Sequence, residues 1–444
     1  MKKYILISLI SLVLVSCSKM LDVEPTQSID ANTALNSKKG IERAVNGMYD
    51  ALQQTGLYGR FAAVAGDLAA DNLDWTGTTL DYGQLTSKSI TTNNAIVEGL
   101  WASSYDAINR ANSILDHLAA ISDMSEVEKN QASGECLFVR ALCHFELMRF
   151  YGPVPLKLQA TVGLENINVA RSSKQEVINV VIDDLEKAAS YLGDKPAGYA
   201  SQKSAKALLA RAYLYNSYIT TESQKITEAA KAAAIADEII ASGAELLANY
   251  DALWTADANG ESLFEVTFNA QDRNVIAQYF YPRLLTGRYE FAPSASLINC
   301  YEAGDLRKTA SIAMDASNFV YGNKYRDLSA GADRVYVVRT AELYAIKAEA
   351  ALIAGNTAGV LANLNMLRSR AGLSPLENTS AYTPLELLLQ ECRVEFAFEG
   401  RRWHDLVRTG KAVEVLGIDQ NHTLFPIPLS EMQTNKLMTQ NPGY

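Results

Sequence analysis

Residues 338–372 read VRTAELYAIKAEAALIAGNTAGVLANLNMLRSRAG, and the spacing of their apolar residues decides the fold. Leu343, Ile346, Ala350 and Ile353 recur at intervals of three and four, which puts them on one face of a helix over 338–354. Gly355 stops that helix. Val360, Leu364, Leu367 and Ala371 then repeat the pattern over 357–371, and Gly372 stops the second. Two amphipathic helices joined by so short a link must fold back on each other as a helix hairpin.

Earlier in the chain, 202–220 and 226–242 form another such pair, with Ala205, Leu208, Ala212 and Tyr215 on one stripe and Ala229, Ala233 and Ala236 on the other. The same periodicity predicts helices over 38–54, 96–120, 126–151, 174–192 and 384–399. Ser125-x-x-Glu128 and Ser173-x-x-Glu176 are capping boxes, and Thr383-Pro384-x-Glu386 adds proline at a first turn, where a missing N–H costs nothing. Gly152-Pro153 ends the helix over 126–151. Small Ala348, with Gly355 after it, fits a tetratricopeptide-type unit, in which a small residue lets paired helices approach. Helix pairs in series make a mainly α, solenoid-like scaffold.

Two stretches break this rhythm. Residues 56–95 are loop-rich, and 244–336 are mixed, with a strand-like alternation over Leu263–Phe268. Irregular insertions on a regular scaffold are where function is expected.

The N-terminus reads as an export signal. Lys2 and Lys3 precede an apolar run, Tyr4 to Val15, too short to span a bilayer, and Ser16 precedes Cys17. Small residue then cysteine is the order in which a lipoprotein signal is cut and the cysteine thiol lipidated, giving a firm membrane anchor. The expected layout is a signal peptide over 1–16, a lipid-anchored tether over 17–36 and one domain over 37–444. Within that domain, scaffold 37–243 and 337–410 carries binding insertions 56–95 and 244–336.

The chain carries net charge −10, and losing Lys2 and Lys3 makes the mature part more acidic still. That gives nothing to a phosphate backbone, so nucleic acid is no expected partner. Cys136 and Cys143 lie seven residues apart on one helix, about 10 Å along its axis and too far for a disulfide. They read as small buried residues.

Catalytic constellations are missing. His117, His144, His404 and His422 make no zinc motif, and there is no Cys-x-x-Cys pair, nucleophile elbow or phosphate-binding glycine loop, so no cofactor is expected. Glu391, Glu395 and Glu399 stand one turn apart with Arg393, Arg401 and Arg402 close by in sequence, which reads as a structural ion-pair network. Carboxylate pairs suited to a glycosidase can never be ruled out among 50 acidic residues. What remains is a binding surface. Sugars offer flat C–H faces that pack on aromatic rings while polar side chains orient their hydroxyls. Asp71, Asn72, Asp74, Trp75 and Tyr82 bring these types together in one segment; Tyr281, Arg283, Arg288 and Tyr289 do so in another. For Trp75, a core plug and a ligand platform fit equally on sequence alone. Trp101, Trp254 and Trp403 read as core.

Motifs along nearly the whole chain resemble one family. They include Leu21-Asp22-Val23-Glu24-Pro25 after Cys17, Ala44-Val45-Asn46-Gly47-Met48-Tyr49, and Trp101-x-x-x-Tyr105-x-x-Ile108-x-x-Ala111-Asn112. Arg149-Phe150-Tyr151-Gly152-Pro153-Val154-Pro155, Glu399-Gly400-Arg401-Arg402-Trp403 and the final Asn441-Pro442-Gly443-Tyr444 complete the set. The chain resembles the SusD/RagB-like nutrient-binding outer-membrane lipoproteins. The resemblance implies about four tetratricopeptide-like helix pairs bearing an irregular subdomain with short strands. It further implies a non-catalytic lipoprotein on the outer face of the outer membrane that caps a SusC-like, TonB-dependent transporter. Its ligand would be an oligosaccharide or, in one branch, an oligopeptide. A surface glycoside hydrolase is the remaining alternative. The matching motifs read as scaffold, so no ligand contact is carried over from them.

Overall fold

The computed structural model describes residues 34–163, 167–255, 260–377 and 381–444. The expected signal peptide 1–16, Cys17 and nearly all of the tether lie outside the described residues.

Twelve helices form the scaffold and frame the site: α1 (Lys38–Leu52), α2 (Phe61–Ala69), α3 (Leu80–Thr86), α4 (Ala95–Leu118), α5 (Glu126–Tyr151), α6 (Lys174–Tyr191), α7 (Gln202–Ile219), α8 (Glu222–Ala241), α9 (Thr340–Ile353), α10 (Thr357–Arg370), α11 (Pro384–Glu395) and α12 (Arg402–Arg408). The long ones pack in a row. α1 lies on α4, α4 on α5, and each helix from α5 to α10 touches the next. The chain leaves the row after α8 and re-enters it at α9, which packs directly against α8. This is the mainly α, tetratricopeptide-type arrangement of helix pairs that the apolar spacing implies.

Caps set the boundaries. The side chains of Ser125, Ser173 and Thr383 accept from the backbone of Glu128, Glu176 and Glu386, whose carboxylates bond back, closing the two anticipated capping boxes and a third at the Thr383 start signal. Gly152 ends α5 with φ 77°, a left-handed conformation that glycine adopts without cost. α5 is buried on almost every side from Cys136 to Tyr151, because α4 and α6 flank it and α1 covers part of it. His144 sits within it as a packed side chain. Its Nδ1 is 3.1 Å from the Arg140 carbonyl and its Nε2 accepts from the Lys157 amide at 3.3 Å; burial pushes its pKa down to about 3. Trp101, Trp254 and Trp403 are buried, and Cys136 and Cys143 are free and buried.

The sequence predicts loops through 56–95, yet α2 and α3 lie there. α2 is buried on nearly all sides, from Ala62 to Ala69, so it shows no polar face and no period to read. Its backbone runs against the chain at Gly400: a Cβ on Gly66 would stand 2.1 Å from the Gly400 carbonyl oxygen.

The expected ion-pair network exists, with different partners. Glu395 meets Arg339 at 2.7 Å, Arg307 at 3.2 Å, and Arg370. Glu399 meets Arg339 at 2.9 Å and Lys324 at 2.7 Å. Glu391 meets Arg307 and, at 3.5 Å, Arg368. The arginines nearest in sequence point away instead. Arg393 and Arg402 hold Asp71, and Arg401 approaches Glu342 and Asp405. α11 carries its glutamates inward to meet arginines from segments up to 88 residues away, so sequence neighbours cannot serve them.

Strands β1 (Leu73–Trp75), β2 (Ser262–Val266), β3 (Phe291–Pro293), β4 (Ile312–Met314), β5 (Val320–Gly322) and β6 (Val335–Arg339) make three two-stranded antiparallel pairs. β2 covers most of the anticipated alternating stretch and pairs with β6, which leads straight into α9. β1 pairs with β3, and β4 with β5 as a hairpin.

Candidate ligand-binding face

The short pair β1–β3 builds the site. Its register sets Trp75 opposite Phe291 and Asp74 opposite Ala292, residues more than 200 apart in sequence. The contact continues past the strand: Thr76 Oγ1 donates to the Tyr289 carbonyl at 2.8 Å, and the Thr76 and Gly77 amides donate to the Glu290 carbonyl at 3.1 and 3.2 Å. The two segments singled out in the sequence, 71–82 and 281–289, are therefore one surface.

The individual residues play different parts. Asp71 is clamped by Arg402 at 2.8 Å and Arg393 at 3.0 Å. Burial works against its carboxylate, but the two guanidiniums outweigh burial and hold it below the usual range. Asn72 is buried; its amide donates to Asp67 and its carbonyl oxygen accepts from Arg393 Nε at 2.8 Å. Tyr82 is 1% exposed and meets Tyr279 and Phe291 edge-on, at 5.9 and 5.3 Å between centroids. These three sit beneath the face and fix β1 and α3.

Above them, Asp74 is exposed and Trp75 half-buried. Trp75 lies on α3, and only a glycine leaves room for it. A Cβ on Gly83 would come 2.8 Å from Trp75 Cε3. Asp74, Trp75, Leu80, Gly83, Gln84, Thr86 and Ser87 line an open depression of about 680 Å³.

Beside it runs a second aromatic group. Tyr289 meets Phe319 edge-on at 5.4 Å, and Phe319, at the turn between β4 and β5, is 50% exposed. Tyr281 and Tyr321 stand 4.6 Å apart, and Tyr281 Oη donates to Asn323 Oδ1 at 3.1 Å. Tyr289 Oη donates to the Val320 carbonyl at 2.9 Å, tying the 281–290 loop to the hairpin. That loop is held tightly. Thr286 and Tyr289 have φ of 66° and 54°, conformations side chains rarely adopt, and a Cβ on Gly287 would strike the Tyr281 carbonyl at 1.8 Å. The Glu290 carboxylate completes the joint by accepting from the Thr78 and Thr79 amides at 3.1 and 3.0 Å. Arg283 and Arg288 are exposed on the same loop.

Sequence reasoning does not reach Arg60, Phe319 or Tyr321. Phe319 carries a usable signal: it follows Asp315 in a tight turn whose Asp315 carboxylate accepts from the Ser317 and Phe319 amides, and an aromatic residue at a turn seldom serves a core.

A row of helix pairs bearing an irregular, ring-rich face on short strands defines a helical scaffold protein built around surface recognition. Comparison with known proteins gives the family. A family model described as "Starch-binding associating with outer membrane" matches residues 19–214, and the SusD family model matches residues 306–444. The chain belongs to the SusD/RagB-like family. It is 26% identical to SusD-like protein P2 of Formosa agariphila, with the whole of both chains covered. Among solved structures, a SusD superfamily protein of Bacteroides vulgatus superposes with a TM-score of 0.82 at 23% identity, covering 91% of this chain and 99% of that one. A protein described as a laminarin-binding SusD-like protein does so at 0.80 and 25% identity, covering 92% and 100%.

Proposed function

We propose that the chain is a non-catalytic, lipid-anchored protein of the outer membrane that captures an extracellular oligosaccharide and delivers it to a SusC-like, TonB-dependent transporter. One observation carries the reading: Trp75 on β1 lines an open depression of about 680 Å³, and the segment leading into the partner strand β3, bonded to Thr76, carries the Tyr289–Phe319 pair. Rings held at fixed positions offer flat apolar surfaces to the C–H faces of sugar residues. Asp74, Arg283 and Arg288 supply donors and acceptors for hydroxyls around them, with Tyr281 at the margin. Asp71, Asn72 and Tyr82 serve the site by holding its frame. The starch-binding description of the matched family model and the laminarin-binding neighbour support a carbohydrate ligand. Cys17 is the proposed attachment point for lipid, and 37–444 the single domain it tethers. An open, wet site gains little per contact, so affinity is modest.

Titration calorimetry of the domain against oligosaccharide and oligopeptide panels tests this. Saturable heat with a glycan, reduced about tenfold or more in affinity by Trp75→Ala, is expected. Binding confined to peptides, or steady cleavage of the bound glycan, would overturn it.

A further inference from the structure

Two arginines share one aromatic ring beside the Tyr281–Glu290 loop, with little to neutralise them. The Arg60 guanidinium stands 3.9 Å from the centroid of the Tyr279 ring and the Arg288 guanidinium 4.8 Å from the same centroid. The two charges are thus no further apart than about one Debye length at ordinary salt, roughly 10 Å. Cation–π attraction favours each singly, but two like charges on one ring repel.

The carboxylate to hand is Glu290, and it is mostly spent. Its Oε2 accepts from two backbone amides, and its Oε1 stands 3.7 Å from Arg288 Nη2, a loose contact. Arg60 makes no ion pair among the described residues, and its Nε is shielded from solvent without a hydrogen-bond acceptor. Arg283 is exposed on the same loop and also makes no ion pair among the described residues. In a chain of net charge −10, this is a positive centre that one loosely placed carboxylate only partly offsets. It is also preorganised. The Arg288 amide donates to the Gln278 carbonyl at 2.6 Å and the Glu290 amide to the Tyr279 carbonyl at 2.8 Å, which fixes the backbone that carries the Arg288 side chain. Tyr279 touches Tyr82 and Phe291, and Phe291 pairs with Trp75, so the charges and the ring platform share one rigid support.

We infer that the ligand of this face is an acidic oligosaccharide, whose carboxylate or sulfate groups are met by Arg60 and Arg288 while its sugar faces pack on the rings. This rests on the oligosaccharide reading above. Guanidinium groups suit both anions, because their N–H groups match paired oxygens.

The test is calorimetry of the domain with three sets of equal chain length: neutral β-glucan oligosaccharides, oligogalacturonates carrying carboxylates, and sulfated galactan oligosaccharides. An acidic set binds about tenfold or more tightly than the neutral one, and its affinity falls as salt rises from roughly 50 to roughly 500 mM. Arg60→Gln lowers acidic-ligand affinity about tenfold, and Arg60→Lys, which keeps the charge, restores part of it. The salt series needs no variant, so it stands even where a substitution disturbs folding. The carboxylate and sulfate arms identify which anion is preferred. Neutral and acidic sets binding equally, with no salt dependence, overturns the charge inference and leaves the glycan reading intact. Binding of no oligosaccharide set overturns the glycan reading and this inference with it.

Discussion

Gly83 shows how one atom can govern the site. The Trp75 ring occupies the space a Cβ would take, so Gly83→Ala must tilt or lift the indole. Alanine in a helix is worth up to about 1 kcal/mol over glycine, which offsets the crowding in the stability balance. The expected outcome is a melting temperature close to the parent's with clearly weaker glycan binding. Equal loss of both would make Trp75 a core residue. Asp67 is a second single-residue case. It is buried on α2, where its carboxylate accepts from the Asn72 amide and from the Gly400 N–H at 2.7 Å. Burial pushes its pKa from 3.8 up to about 7, with Asn72, Gly400 and Lys324 opposing and Glu399 reinforcing the rise. A carboxyl whose folded value is raised contributes stability that is complete below about pH 4 and lost as pH climbs through about 7. Asp67→Asn removes that dependence. Its stability relative to the parent, from urea titrations, improves between pH 4 and 8 by about 1.4 kcal/mol per pH unit at the steepest. A pH-independent difference would mean that Asp67 is charged throughout. Because Asn72 precedes the site strand, this proton also bears on how firmly β1 is seated.

Among the elements, legibility follows the range of the interactions. α4 to α11 are local objects: apolar spacing lies within each segment, most starts carry a capping serine, threonine or asparagine and several ends a glycine, and the structure places their ends within a few residues of where those signals put them. α2 lacks a polar face and β1 is three residues long, so neither writes a period into the chain. The pairing of β1 with β3, which makes the face, is set by partners more than 200 residues apart and leaves no local trace. Residue types reveal the two aromatic segments, but not that Asn72 and Tyr82 turn inward while Trp75 stays out. The same distinction runs through the ion network. Glu395 on α11 is recognisable as a network member, yet its partners Arg307, Arg339 and Arg370 come from three other segments. Burial pushes the Glu395 carboxyl up, and the three guanidiniums outweigh that and hold it far down. Glu395→Gln leaves those cations facing a neutral amide, which destabilises by about 3–5 kcal/mol. The urea midpoint should fall accordingly, with the slope unchanged. A shift below about 1 kcal/mol would mean that water enters and screens the cluster.

At the scale of the molecule, this network decides whether the irregular part can come loose from the scaffold. Arg307 and Lys324 belong to the insertion between α8 and α9; Arg339 closes β6, Arg370 ends α10, and Glu395 and Glu399 follow from α11. Glu261, next to β2, joins the same cluster through Arg339 at 2.8 Å and Arg370 at 3.0 Å. Each of these charges is buried, so opening the seam between insertion and helices strands them without partners, and the seam resists opening until the helices themselves give way. The insertion and the helical row should then unfold together. In urea, the loss of helix followed by far-ultraviolet circular dichroism and the change in tryptophan fluorescence, which reports on Trp75 and Trp254 in the irregular parts as well as Trp101 and Trp403 in helices, should superimpose. Acid should do the same. Burial raises the Glu342 pKa but Arg211 and Arg401 bring it down to about 2, so its pairing contributes stability above the ordinary carboxylate range that is lost as pH falls toward about 2. A fluorescence transition that precedes the loss of helix would show the binding face detaching first, and the ion cluster would then be a hinge rather than a clasp.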